Sequence, residues 1–208
     1  MKRVIENPLV GDRVTFLKNS RETNGKYLYI KVELAPKGGV NLHYHTAIAE
    51  KFEALDGVLG VHCGGKDLLL APGQTAEVPP RTLHRFYNPS ETQTITFLCT
   101  VTPATRFEQC LRLVYGLATD GQCRPNGAPR NFWHMALLME MGETYFPGLP
   151  LRLQQGIFRL LSGLAHLLGK HKEVEKYYRE SELYAKAEPF TSVAGPKQKS
   201  SPVIHRVG

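Results

Sequence analysis

The run Asn41-Leu42-His43-Tyr44-His45-Thr46-Ala47-Ile48-Ala49-Glu50-Lys51-Phe52-Glu53-Ala54-Leu55-Asp56-Gly57 decides how this chain reads. On a β-strand, residues two apart point to one face, so His43 and His45 project their imidazoles together. Glu50 opens the next strand-like stretch, and a short hairpin between the two would set its carboxylate beside both rings. A third imidazole, His84, lies in Val78-Pro79-Pro80-Arg81-Thr82-Leu83-His84-Arg85-Phe86-Tyr87-Asn88. Three imidazoles and one carboxylate form a mixed N/O donor set that suits one divalent transition metal: Fe, Mn, Ni, Zn or Co. Such groups are costly to bury unpaired, since desolvating a lone carboxylate costs several kcal/mol. The expected metal ligands are therefore His43, His45, Glu50 and His84.

Around this run, residues 1–103 read as β. Tyr27-Leu28-Tyr29-Ile30-Lys31-Val32-Glu33-Leu34 and Thr94-Ile95-Thr96-Phe97-Leu98-Cys99-Thr100-Val101 are rich in β-branched and aromatic residues. Turn signals such as Pro36-Lys37-Gly38-Gly39, Asp56-Gly57, Ala71-Pro72-Gly73 and Asn88-Pro89-Ser90 separate the strands, a rhythm typical of sandwiches and small barrels.

The two histidine-bearing stretches resemble the two motifs of the cupin superfamily, G-x5-H-x-H-x3,4-E-x6-G and G-x5-P-x-G-x2-H-x3-N. His43, His45, Glu50 and Gly57 match the first, and Gly73, Pro79, His84 and Asn88 match the second. Gly38 stands one residue closer to His43 than the motif has it, and Arg81 replaces the second-motif glycine. The resemblance covers about residues 25–102. It implies a mainly β chain: a small jelly-roll barrel (a double-stranded β-helix) with the motifs on neighbouring strands and all four ligands aimed into its mouth.

Strand parity adds expected pocket-lining residues. Asn41 shares a face with His43 and His45, Phe52 and Ala54 with Glu50, and Phe86 and Asn88 with His84. Glu53, Arg85, Tyr44 and Arg81 face away or sit on a loop. An open metal site in such a pocket suits a small oxygen-containing organic molecule. A dioxygenase-like oxidoreductase is one expectation. The alternative is a non-catalytic cupin that binds a small ligand and signals through a protein partner.

After Pro103 the pattern turns helical. Thr105-Arg106-Phe107-Glu108 has the form of a capping box, opening a helix that should stop near Gly121. Further helices are expected over 132–143, 151–168 and 173–187. Residues 104–187 then form an extension packed on the barrel, and 188–208 a tail. In the third helix Leu153, Ile157, Leu160, Leu161, Leu164 and Leu168 share one face, opposite Arg152, Gln155, Arg159, Ser162, His166 and Lys170. The apolar face is expected to pack within the chain. A homodimer interface and a membrane surface over 151–170 are its other possible fates, with dimerisation expected mainly through the barrel strands.

The 208 residues are 42% hydrophobic and 22% charged, ordinary for a soluble domain. The net charge of +7 is spread along the chain, without basic runs interleaved with aromatics, so nucleic acid is not an expected partner. The start lacks an apolar secretory core, and Cys63, Cys99, Cys110 and Cys123 form no CxxC pair. Reduced thiols and a cytoplasmic protein are the expectation.

Overall fold

The computed structural model describes residues 2–179. Eleven strands and three α-helices follow in the order β1 (Val4–Asn7), β2 (Asp12–Lys18), β3 (Leu28–Leu34), β4 (Tyr44–His45), β5 (Ala49–Asp56), β6 (Leu59–Cys63), β7 (Lys66–Leu70), β8 (Thr75–Val78), β9 (His84–Tyr87), β10 (Ile95–Thr102), α1 (Phe107–Thr119), α2 (Phe132–Gly142), β11 (Thr144–Tyr145) and α3 (Leu151–Leu167). A six-stranded sheet, β1-β2-β3-β10-β5-β8, and a three-stranded sheet, β7-β6-β9, form the jelly roll. The alternation that marked the strands in sequence sets their inner faces. Leu28, Ile30, Val32 and Leu34 of β3 meet Phe52 and Ala54 of β5, Phe97 and Cys99 of β10, and Leu59 and Val61 of β6 in one core. Phe52, Phe86 and Phe97 pack ring against ring at its centre, with centroids 5.2–6.1 Å apart. Gly57 makes the β5–β6 turn at φ +73°, where a Cβ would also strike Ile95.

The extension builds a second core from Leu113 and Leu117 of α1, Leu137 and Met141 of α2, Ala165 of α3, and Val174 and Tyr178. α1 joins the two cores, because Tyr115 belongs to the first and Phe107, Leu111 and Val114 pack against it.

Several local expectations are corrected. The capping box does not form: Arg106 precedes the helix without a side-chain cap, and Thr105 is left-handed at φ 38°. Glu108 instead holds the Arg112 guanidinium at 2.9 Å and accepts the Ser20 N–H. The hairpin between β4 and β5 is absent too. β5 lies between β10 and β8, while β4 pairs with β11 from the extension. The apolar face of α3 is not packed within the described chain. Leu153, Ile157, Leu160, Leu164 and Leu168 are exposed, and the buried residues are Gln154, Ser162 and Ala165. Gln154 fixes that orientation, bonding the N–H and carbonyl of Phe146 and the carbonyl of Leu149, while Phe158 stacks on Tyr145. Small Ser162 and Ala165 fill the buried face, which lies roughly a third of a turn from the leucines. Of the expected fourth helix over 173–187, Glu173 ends a 3-10 turn, Val174 is a turn residue, residues 175–179 are helical, and residues 180–187, with the tail, lie outside the described residues.

Asp12 and Tyr115 link the sheet to α1: the phenol donates to the Asp12 carboxylate, whose other oxygen is buried without a partner. Burial raises the Asp12 pKa to about 6, although the Tyr115 hydrogen bond opposes this. The acid is thus favoured in the folded state, and the fold loses stability as pH rises from the ordinary value of 3.8 to about 6. Asp12→Asn, which keeps an acceptor for Tyr115, should raise unfolding stability at pH 7 by on the order of 2 kcal/mol and change it little near pH 4. Urea unfolding at the two pH values measures this; equal effects at both would contradict it.

Candidate metal centre

His43, His45, Glu50 and His84 converge, each offering one ligand atom within 4.8 Å of the others. The separation of 34 residues between Glu50 and His84 is closed by a local ladder. His43 and His84 bridge antiparallel, exchanging N–H···O bonds of 3.0 and 2.8 Å. The Arg81 N–H donates to the His45 carbonyl at 2.6 Å, tying the second motif to the first. Arg81 makes that bond at φ 65°, in the left-handed region where the family motif has glycine.

Each imidazole is oriented by the backbone. Nδ1 of His43 lies 2.7 Å from the Asn41 carbonyl, and that of His84 lies 2.8 Å from the Thr82 carbonyl. Nδ1 of His45 faces the carbonyls of Gly142 and Glu143 at 3.1 and 3.3 Å. A carbonyl only accepts, so each Nδ1 carries the proton and each Nε2 turns toward the cluster. Nε2 of His45 is buried there with no protein partner. Nε2 of His84 lies 2.9 Å from Glu50 Oε2. Fixing the outer nitrogen so that the inner lone pair faces an ion is the arrangement of metal-ligating histidines, and the donor set fits a divalent transition metal.

Electrostatics separate the ligands. Burial lowers the pKa of His43 and of His45, with neighbouring imidazoles adding to the effect. Burial is the largest influence on His84 and works against its charge, but the Glu50 hydrogen bond, the Glu50 charge and the Thr82 carbonyl together outweigh it and raise its pKa. Burial also opposes the Glu50 carboxylate, yet the His84 hydrogen bond and the surrounding imidazoles bring its pKa to about 2. Without an ion, the pairing favours a protonated His84 facing an ionised Glu50.

The expected lining residues take different places. Phe52 and Ala54 have no exposed surface and belong to the packed core, so they lie beneath the site rather than on a pocket wall. Asn88 is buried, and its amide nitrogen faces the carbonyls of Leu34, Ala35 and Gln93, which makes it a loop brace. Asn41 is exposed and contributes its backbone carbonyl, while Phe86 keeps a partly exposed ring. Arg85 lies over the Tyr87 ring. Residues missed in the sequence come from the extension. Gly142 and Glu143 hold His45, Thr144 and Tyr145 pair with β4, and the Phe107 ring meets the His45 ring edge-on at 5.6 Å. The short segment of residues 142–145, from the end of α2 toward α3, carries no motif, and Phe107 opens α1. A separate cavity of about 330 Å³, beside Ile5, Arg112 and Tyr115, contains none of the four ligands.

A family model described as a cupin domain matches residues 30–101. A probable oxidoreductase, virH, of Hypocrea virens is 30% identical over 178 residues, covering 77% of this chain and 80% of the relative. Similar solved structures include a predicted oxalate decarboxylase of Thermotoga maritima, 24% identical with a TM-score of 0.42, covering 44% of this chain and 80% of that one. An RmlC-like cupin of Shewanella frigidimarina is 21% identical with a TM-score of 0.42, covering 48% and 83%.

Two outcomes follow from the geometry. Binding an ion at Nε2 of His84 must displace the proton that Glu50 stabilises, whereas His43 and His45 are already neutral. Zinc affinity should therefore fall as pH is lowered, beginning above the ordinary imidazole value of 6.5, with about one proton released per ion. Titration calorimetry in buffers of different ionisation heat counts that proton, and release of three would contradict the assignment. At Gly142 an added Cβ would come within 2.7 Å of Cys110 Sγ and 2.9 Å of Thr144 Oγ1, displacing the carbonyl that orients His45. Gly142→Ala should weaken zinc binding roughly 10–100-fold in a folded protein; unchanged affinity would sever the helix end from the site.

Proposed function

Because the chain belongs to the cupin superfamily, we propose that it is a metal-dependent oxidoreductase acting on a small oxygen-containing organic molecule, with a dioxygenase-type reaction as the specific form. The observation that carries the reading is the inward Nε2 set, above all the partnerless buried Nε2 of His45 beside an ionised Glu50. The likeness to a probable oxidoreductase over most of both chains supports redox chemistry. His43, His45, Glu50 and His84 would hold the ion, which supplies Lewis acidity to a substrate oxygen and, as iron or manganese, an electron-transfer site for dioxygen.

The protein's own part is positioning and proton control. His43 keeps partial exposure while the other three ligands are buried, so a substrate reaches the centre from its side. Phe107 covers one edge of His45, and the Phe52–Phe86–Phe97 cluster fills the apolar core of the barrel, to which β5 contributes Phe52 as well as the buried Glu50. Glu50 remains ionised throughout the neutral range and sets the charge that a substrate oxygen meets.

The test is oxygen uptake by protein loaded with iron, manganese or nickel, over a panel of diketones, catechols and hydroxy acids. Metal-dependent uptake with at least one class is expected. Glu50→Gln should lower it by more than the roughly 10–100-fold typical of changes outside the ligand shell. Loaded protein that binds panel members at the metal and yet turns over none would replace this reading with that of a ligand-binding module.

A further inference from the structure

The exposed stripe of α3 is the least expected surface of the molecule. Leu153, Ile157, Leu160, Leu164 and Leu167 follow one another at steps of three and four, with Leu160 63% and Leu167 82% exposed. Leu168 and, before the helix, Phe146 and Leu149 extend the stripe at its two ends. Contiguous apolar surface of this kind marks a contact site in a protein that lives in water. The seventeen residues of α3 measure about 25 Å, and no described helix is long and apolar enough to cross a membrane.

Charge identifies the occupant. Residues 145–172 contain no aspartate or glutamate but include Arg152, Arg159, Lys170 and Lys172. Lys170 pairs with Glu173. Arg152 and Arg159 are exposed, and no carboxylate among the described residues pairs with them. On a helical projection the two arginines lie on one flank of the stripe, with Gly156 and Gly163 between, so no bulky side chain separates the guanidinium stems from the leucines. A second copy fits this face poorly. An antiparallel two-fold pairing of α3 would bring basic flanks together without a carboxylate to neutralise them.

We propose that α3 is a membrane-surface helix that lies on an anionic bilayer, its leucines among the acyl chains and Arg152 and Arg159 among the headgroups. The helix is also the neighbour of the metal centre: its Phe158 stacks on Tyr145, which pairs with Tyr44 next to His45. The inference rests on α3 alone and stands whatever ion or substrate the centre takes.

Co-sedimentation of the full chain with phosphatidylcholine vesicles, with and without phosphatidylserine, tests it. The protein should pellet with the phosphatidylserine vesicles and remain in solution with the neutral ones, and added salt should weaken the binding. Arg152→Gln with Arg159→Gln should reduce partitioning roughly thirtyfold, the equivalent of about 1 kcal/mol of attraction per residue near such a surface. Leu160→Gln with Leu164→Gln should abolish partitioning, and all variants should keep the wild-type thermal midpoint because the changed side chains are exposed. Wild-type protein left in the supernatant, or binding indifferent to lipid charge and to the arginines, overturns the proposal. A dimer in sedimentation equilibrium that Leu160→Gln with Leu164→Gln dissociates also overturns it and assigns the face to a second copy.

Discussion

The hydrogen bond from the His45 ring to the carbonyls of Gly142 and Glu143 joins the two halves of the molecule at its chemical centre. It fixes one tautomer, holds the ring against Phe107 and requires α2 to end where β11 can pair with β4. Backbone carbonyls hold His43 and His84 in the same sense, so the orientation of all three rings is a property of the fold. The single side-chain pair, His84 with Glu50, is left as the variable element: the contact favours a proton on His84, and a cation can take that proton's place.

Much of this was legible in the sequence because it depends on parity. His43 and His45 share a face since strands alternate, and the spacing from Gly73 to Asn88 brings His84 to the same place. The same parity placed Phe52 and Ala54 inside, but it could not distinguish a pocket wall from a packed floor, which depends on how Phe86 and Phe97 fill the space. Asn88 shows the limit again: it faces inward as expected, and three backbone carbonyls around its amide make it a brace.

What was not legible depended on partners distant in sequence. β4 is only two residues long and pairs with a segment about a hundred residues later, so the nearer Glu50 strand looked like its natural mate. The α3 leucines looked like core by periodicity, yet Gln154 anchors the helix to the preceding turn and directs Ser162 and Ala165 inward. Periodicity identifies an apolar face; side-chain anchors decide which way the helix turns it. The extension thus has two roles in one short region, orienting His45 of the candidate metal centre on one side and presenting an apolar stripe on the other.

The account depends most directly on the protonation pattern of the three imidazoles. Long-range proton–nitrogen NMR of the metal-free protein at neutral pH reads it ring by ring. His43 and His45 should carry their single proton on Nδ1, and His84 should carry protons on both nitrogens. Zinc should remove the Nε2 proton of His84 and shift all three Nε2 resonances together. An Nε2–H tautomer at His43 or His45, or an Nε2 signal that zinc leaves unmoved, would contradict the assignment of these rings as the ligand set.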